Sequence, residues 1–153
     1  MRIAIGSDTA TELTEALMDE LQQRGHELVI FGPLKKGEAG RDWPLVARDV
    51  ASAVGQGTAD EGIVCCWTGT GVSIAANKVP GVRAALSGDA ETARGARIYN
   101  HANVLALSLR ATTIPIMKEI LGAWFSTPTT EGEAQNEWNR RQVERVNTLD
   151  RRT

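Results

Sequence analysis

The stretch Gly62-Ile63-Val64-Cys65-Cys66-Trp67-Thr68-Gly69-Thr70-Gly71-Val72-Ser73-Ile74-Ala75-Ala76-Asn77-Lys78 decides the fold. A short apolar run, Glu61 to Cys66, reads as a strand; it enters a glycine turn, and a helix follows from about Val72 to Lys78. On both sides of it short apolar runs alternate with helical patterns, which predicts βαβ units and a mostly parallel sheet. Toward the N-terminus, Arg2 to Ile5 and Glu27 to Phe31 read as strands, with Leu13, Leu17 and Leu21 marking a helix closed by Gly25. A polar surface loop, Gly32 to Asp42, then leads to a helix face made by Val46, Val50 and Val54. Toward the C-terminus, Val82 to Leu86 and Asn103 to Leu107 read as strands, with Glu91 to Ile98 helical between them. Ile114, Met117, Leu121 and Trp124 mark one more amphipathic helix. No period of some tens of residues repeats, so a solenoid is excluded.

The chain has 153 residues, 42% hydrophobic and 24% charged, which suits one soluble globular domain with one core. Seventeen Lys and Arg against nineteen Asp and Glu leave a net charge of −2. That argues against a nucleic-acid partner, although a local anion site is compatible with it. Aromatic residues make up 5% of the chain, too few for a base-stacking platform. The opening apolar run is too short for an export signal, and no later run would span a membrane. With two free thiols, the expected compartment is the cytoplasm.

Three readings compete for the glycine turn. A phosphate-binding loop of the G-x-x-x-x-G-K-[ST] type lacks its lysine, because Lys78 lies seven residues past Gly71. A dinucleotide fingerprint lacks its third glycine, since Ile74 stands there; Asp89, beyond the next strand, is the one feature in its favour. The third reading is a small-molecule site, in which backbone amides and a helix N-terminus cradle an anion or a developing oxyanion.

The adjacent Cys65 and Cys66 fit the third reading. They have neither the geometry of a disulfide framework nor the spacing of a zinc site, and no metal-ligand spacing occurs elsewhere. Side chains alternate along a strand, so the two thiols face opposite ways. Cys65 reads as a small buried hydrophobe. Cys66 ends the strand at the mouth of the glycine turn, where a base or nucleophile would act. His26 follows a helix-ending glycine and reads as solvated, while His101 stands immediately before a strand.

Residues 131–153 differ from the rest: five arginines and five acids surround a few apolar positions. They read as a helical extension of the domain formed by residues 1–130. Trp138, Val146 and Leu149 would seat that helix across a homodimer interface, the competing reading being a solvated tail.

Taken together, these residues resemble the family of ribose-5-phosphate isomerase B and galactose-6-phosphate isomerase. The likeness rests on Ile3-Ala4-Ile5-Gly6-Ser7-Asp8, on the block from Gly62 to Val79, and on Gly81-x-Arg83-Ala84-Ala85. Asn103 to Leu107 and Arg110 complete it, so that it covers roughly residues 1–125. It implies a flavodoxin-like three-layer sandwich around a five-stranded sheet. It also implies a homodimer, or a tetramer, with sites at the interface, and aldose–ketose isomerisation without metal or other cofactor. By this resemblance Cys66 is the base that moves a proton between C1 and C2 of a sugar or sugar phosphate, and Thr68 assists it. The amides of Gly69, Thr70 and Gly71 hold the enediolate oxygen. Asp8 and Asn100 bind substrate hydroxyls, and Arg110 meets a phosphate or a hydroxyl.

The chain departs from the family pattern at four places. Thr9 stands where a phosphate-binding His is usual, and Tyr99 where a His opens the sugar ring. A phenol ordinarily titrates near pH 10 and is a poor general base at neutral pH. Trp67 replaces a glycine and adds bulk beside the site. The two tail arginines that hold phosphate fall, counted without gaps, on Glu133 and Glu137; the nearest such pair is Arg141 and Arg145. The expectation is an isomerase of altered substrate, either a tetrulose phosphate or an unphosphorylated sugar. The rival is a non-catalytic or partner-dependent subunit of a heteromeric isomerase.

Overall fold

The computed structural model describes residues 1–39 and 42–151, leaving two positions of the expected surface loop and the last two of the tail outside the described residues. Five strands, β1 (Arg2–Ser7), β2 (Glu27–Phe31), β3 (Glu61–Cys66), β4 (Ala84–Leu86) and β5 (Val104–Ser108), pair in the order β2-β1-β3-β5-β4. Every pairing is parallel. Six α-helices join them: α1 (Glu12–Gln23), α2 (Trp43–Gly55), α3 (Thr70–Ala76), α4 (Ala90–Asn100), α5 (Ile114–Ser126) and α6 (Glu137–Thr148). The fold is a flavodoxin-like α/β sandwich in which the last two strands have exchanged places relative to the 2-1-3-4-5 order.

Both faces of the sheet are covered, which is why its central strands are apolar runs rather than alternating ones. All six residues of β3 are buried. Ile3, Ile5, Ile63, Cys65, Leu105 and Leu107 face the core under α1, α4 and α5. Ala4, Val64, Cys66, Val104 and Ala106 face the second core under α2 and α3. The two thiols therefore lie on opposite faces, as alternation requires. Gly6 lets α2 approach closely, because a Cβ there would lie 2.6 Å from Val46 Cγ1.

Element edges shift where side chains override periodicity. Helix α3 starts at Thr70, two residues early, because Gly69 takes a left-handed conformation (φ 76°) as its N-cap. It ends at Ala76, because Asn77 turns away to bind the backbone of β4: Ala84 N–H donates to Asn77 Oδ1 at 2.8 Å, and Asn77 Nδ2 donates to Ala84 O at 2.9 Å. The C-terminal helix lies on its own chain. Asn139 and Val143 of α6 are buried, Arg83 reaches Asn147 Oδ1 at 3.2 Å, and Gly81 N–H donates to Asp150 at 2.8 Å. Trp138, Val146 and Leu149, the residues expected to seat this helix, are exposed, and Val146 borders a groove of its own chain with Arg83 and Asn100.

Candidate functional site

Strand order reverses at β1, whose two neighbours β2 and β3 are reached by connections leaving in opposite directions, so the carboxyl ends of β1 and β3 flank a crevice. Cys66 closes β3 there and is 5% exposed. The turn after it is stapled from β5: Leu109 N–H donates to Cys66 O at 2.9 Å, and Arg110 N–H and Ser108 Oγ donate to Trp67 O at 3.1 and 2.9 Å. Thr68 Oγ1 lies 2.8 Å from Thr70 Oγ1, with both side chains exposed. The amides of Thr70, Gly71 and Val72 belong to the first turn of α3, where helix geometry supplies no partner four residues back. A strand-end thiol, a hydroxyl pair and the first-turn amides of a helix thus fall within seven residues of sequence.

Cys65 is fully buried, and desolvation, with the nearby Cys66 and Asp8, pushes its thiol up to about 12. It stays a neutral thiol at physiological pH, consistent with a packing role. At the end of β1, Ser7 Oγ donates to Thr9 O at 2.7 Å and fixes the turn that carries Asp8. Asp8 Oδ1 is buried and has no hydrogen-bond partner among the described residues. An acceptor left in that state at the crevice is set to receive a donor from a ligand.

Gly69 admits no substitute. A Cβ would lie 2.6 Å from Leu86 Cδ1 and 2.9 Å from the Leu107 carbonyl carbon, on a backbone already at φ 76°. Gly69→Ala should cost about 1–3 kcal/mol from backbone strain and should displace the turn. Urea denaturation measures the first effect and turnover the second; an alanine variant of parental stability and activity would contradict both.

Two site residues escaped the sequence reading. Trp43, the first residue of α2, packs its indole on Gly71, whose added Cβ would meet three ring carbons at 3.1–3.2 Å. It walls the cradle on the α2 side, and its only sequence signal is an aromatic opening a helix before Pro44. Ser87, just past β4, is fully buried with an unpartnered hydroxyl. It lines a cavity of about 320 Å³ together with Thr68, Ser108, Arg110 and Thr112.

Three expected site residues are not at this crevice. Tyr99 and Asn100 end α4 and precede β5, so they stand at the amino edge of the sheet, with Tyr99 half exposed. Five residues of β5 separate the two edges, roughly 16 Å at the rise of a parallel strand. Asn100 lines a groove with Asn77, Arg83 and Val146. Arg141 sits on α6, which packs against α4, and pairs with Glu137, one of the two acids at the tail-arginine positions.

A parallel α/β sheet with a thiol, hydroxyls and helix-start amides at its switch point is the place where an enzyme of this class would bind a small molecule. Residues 3–143 match the model of the Ribose/Galactose Isomerase family, and the chain belongs to that family of sugar-phosphate isomerases. It is 41% identical over 126 residues to the D-erythrulose-4-phosphate isomerase of Pectobacterium atrosepticum, covering 82% of each chain. It is 35% identical over 152 residues to the ribose-5-phosphate isomerase B of Escherichia coli, covering 99% of this chain and 97% of that one. The ribose-5-phosphate isomerase B of Clostridium thermocellum superposes with a TM-score of 0.86 at 36% identity, covering 98% and 97%.

Proposed function

We propose that the chain interconverts a tetrulose 4-phosphate and the corresponding aldotetrose 4-phosphate. The observation that carries this is Tyr99, a phenol where the family resemblance expects the ring-opening imidazole. A four-carbon sugar phosphorylated on O4 has no free hydroxyl with which to close a furanose ring, so it arrives open and needs no such group. The 41% identity to a D-erythrulose-4-phosphate isomerase supports the same substrate.

In this reading the Cys66 thiolate removes a proton from C1 of the ketose, and the electron pair moves onto the C2 oxygen. The first-turn amides of α3 stabilise that enediolate oxygen. Thr68 passes the hydroxyl proton between O1 and O2, and the Cys66 thiol returns its proton to C2, leaving the carbonyl at C1. Asp8 accepts from a substrate hydroxyl. The working unit is a homodimer, since Tyr99 and Asn100 reach a Cys66 crevice only from a second copy.

The test is a substrate panel followed by proton NMR in D2O, reading solvent exchange at the reacting carbons. Tetrulose 4-phosphate should exceed ribose 5-phosphate in kcat/KM by about 100-fold. Brisk turnover of ribose 5-phosphate that disappears in Cys66→Ala would overturn the four-carbon reading.

A further inference from the structure

We propose that Trp67 sets the length of sugar that the site accepts, its indole taking up the space that a fifth carbon would need. This rests on the four-carbon reading above and names the residue that enforces it. Trp67 stands between the proposed base, Cys66, and Thr68, so its Cα lies about 3.8 Å from each of theirs. A molecule that reaches both of those side chains passes beside residue 67. The backbone there is clamped from β5: Leu109 N–H donates to Cys66 O at 2.9 Å, while Arg110 N–H and Ser108 Oγ both donate to Trp67 O. The turn cannot swing the indole away without breaking these bonds.

The indole is not spent on the fold of its own chain. Two of the four tryptophans stand at the glycine turn, and they are held differently. Trp43 packs on Gly71 and is a fixed wall. Trp67 is 66% exposed, and among the described residues its ring has no hydrogen bond, ring contact or cation partner. A lone exposed tryptophan is ordinary on an outer surface; this one borders the proton-transfer site. An indole offers a broad apolar face, one N–H donor and no acceptor. The C–H edge of a sugar rests on such a face at little cost. One more CHOH unit brings extra bulk and a hydroxyl whose proton finds no acceptor there. A tetrulose 4-phosphate lacks that unit, and a pentulose 5-phosphate carries it between the reacting carbons and the phosphate.

Ribulose 5-phosphate is the discriminating probe. Its O5 is phosphorylated, so it too has no free hydroxyl with which to close a furanose ring, and chain length is tested apart from ring opening. In the parent, kcat/KM for tetrulose 4-phosphate should exceed that for ribulose 5-phosphate by about 100-fold. In Trp67→Ala that ratio should fall about tenfold, through a rise in kcat/KM for ribulose 5-phosphate, and Trp67→Phe should keep most of the preference. Trp67 has no positive φ, so alanine brings no backbone strain and the variant should melt with the parent. A second readout is independent of turnover: saturating tetrulose 4-phosphate should shield the parent's tryptophan fluorescence from acrylamide, and the shielding should shrink in Trp67→Phe. The proposal falls if Trp67→Ala keeps the parent's ratio, if it loses both sugars equally, if shielding is undiminished in Trp67→Phe, or if light scattering shows that Trp67→Ala has changed the assembly's mass. If the parent does not turn over tetrulose 4-phosphate but Trp67→Ala newly admits ribulose 5-phosphate, the selector stands and the four-carbon reading fails. If the parent prefers tetrulose 4-phosphate and Trp67→Ala retains that preference, the four-carbon reading stands and the selector fails.

Discussion

Cys66→Ala is expected to lower kcat/KM by about a thousandfold, while Cys65→Ala keeps turnover. The contrast follows from one step of strand periodicity. Cys65 faces the core under α1 and α5, where burial holds its thiol at about 12. Cys66 ends the strand beside Thr68 and the first turn of α3. A positioned general base contributes roughly 10²–10⁴ in rate, so removal of the thiol from a site whose amides and hydroxyls remain should fall within that range. A thousandfold loss corresponds to about 4 kcal/mol of transition-state stabilisation. Solvent-proton exchange is the sharper readout, because it reports the proton abstraction itself even when product release limits turnover. Equal exchange in Cys66→Ala and the parent would remove Cys66 from the mechanism. Loss of exchange in Cys65→Ala, with the fold intact, would exchange the roles of the two residues.

The arrangement of strands was legible because a parallel sheet covered on both faces writes its central strands as uninterrupted apolar runs, and Glu61–Cys66 is one. The chemical end of that strand was legible too, since the strand, glycine turn and helix are contiguous in sequence. What escaped the reading depends on contacts between residues far apart. Trp43 walls the glycine turn only because α2 begins at the same edge of the sheet where α3 begins. Ser87 reads as an ordinary loop serine until burial shows that its hydroxyl has no partner. Expected site residues also separated: Tyr99 and Asn100 resemble neighbours of Cys66 by family pattern, yet α4 delivers them to the other edge of the sheet. Under the homodimer reading proposed above, their distribution over two edges belongs to assembly, and assembly is written on surfaces rather than in periodicity. The apolar side of α6 illustrates this: Val143 is spent on its own chain while Trp138 and Val146 remain outside.

The largest expected loss of stability comes from a residue that touches no substrate. Arg97 lies two positions before Tyr99 and is buried with Glu61, the side chains being 7% and 11% exposed. Arg97 Nη2 lies 2.7 Å from Glu61 Oε1, Nη1 donates to Ala102 O at 2.7 Å, and Nε donates to Thr127 O at 3.0 Å. Trp124 Nε1 donates to the second Glu61 oxygen at 2.6 Å, and the guanidinium rests 4.8 Å from the centre of the Trp124 ring. The group ties the amino end of β3 to the end of α4 that carries Tyr99 and Asn100. Arg97→Met keeps much of the apolar stem but leaves a buried carboxylate without its cation and two carbonyls without donors. Breaking such a pair costs about 3–5 kcal/mol. For a domain of this size that corresponds to a fall of roughly 6–20 °C in melting temperature.

The pH dependence carries a sign that tests the cause. Burial lifts the Glu61 carboxyl above its ordinary 4.5, although the charge of Arg97 and hydrogen bonds from Trp124 and Arg97 pull it back. A carboxyl raised in the folded state holds its proton where the unfolded chain has already lost it, so its ionisation costs stability as pH rises. Below about pH 4, near the bottom of the unfolded range, it is protonated in both states and that cost vanishes. Without Arg97 the lift is larger, so the stability gap between parent and Arg97→Met should widen toward neutrality once pH passes the parent's Glu61 value, which lies above 4.5. Urea midpoints measured across that range check this, and a gap that stays constant or narrows would contradict it. Adding Glu61→Gln to Arg97→Met removes the stranded charge, and it should recover part of the loss and flatten the pH dependence.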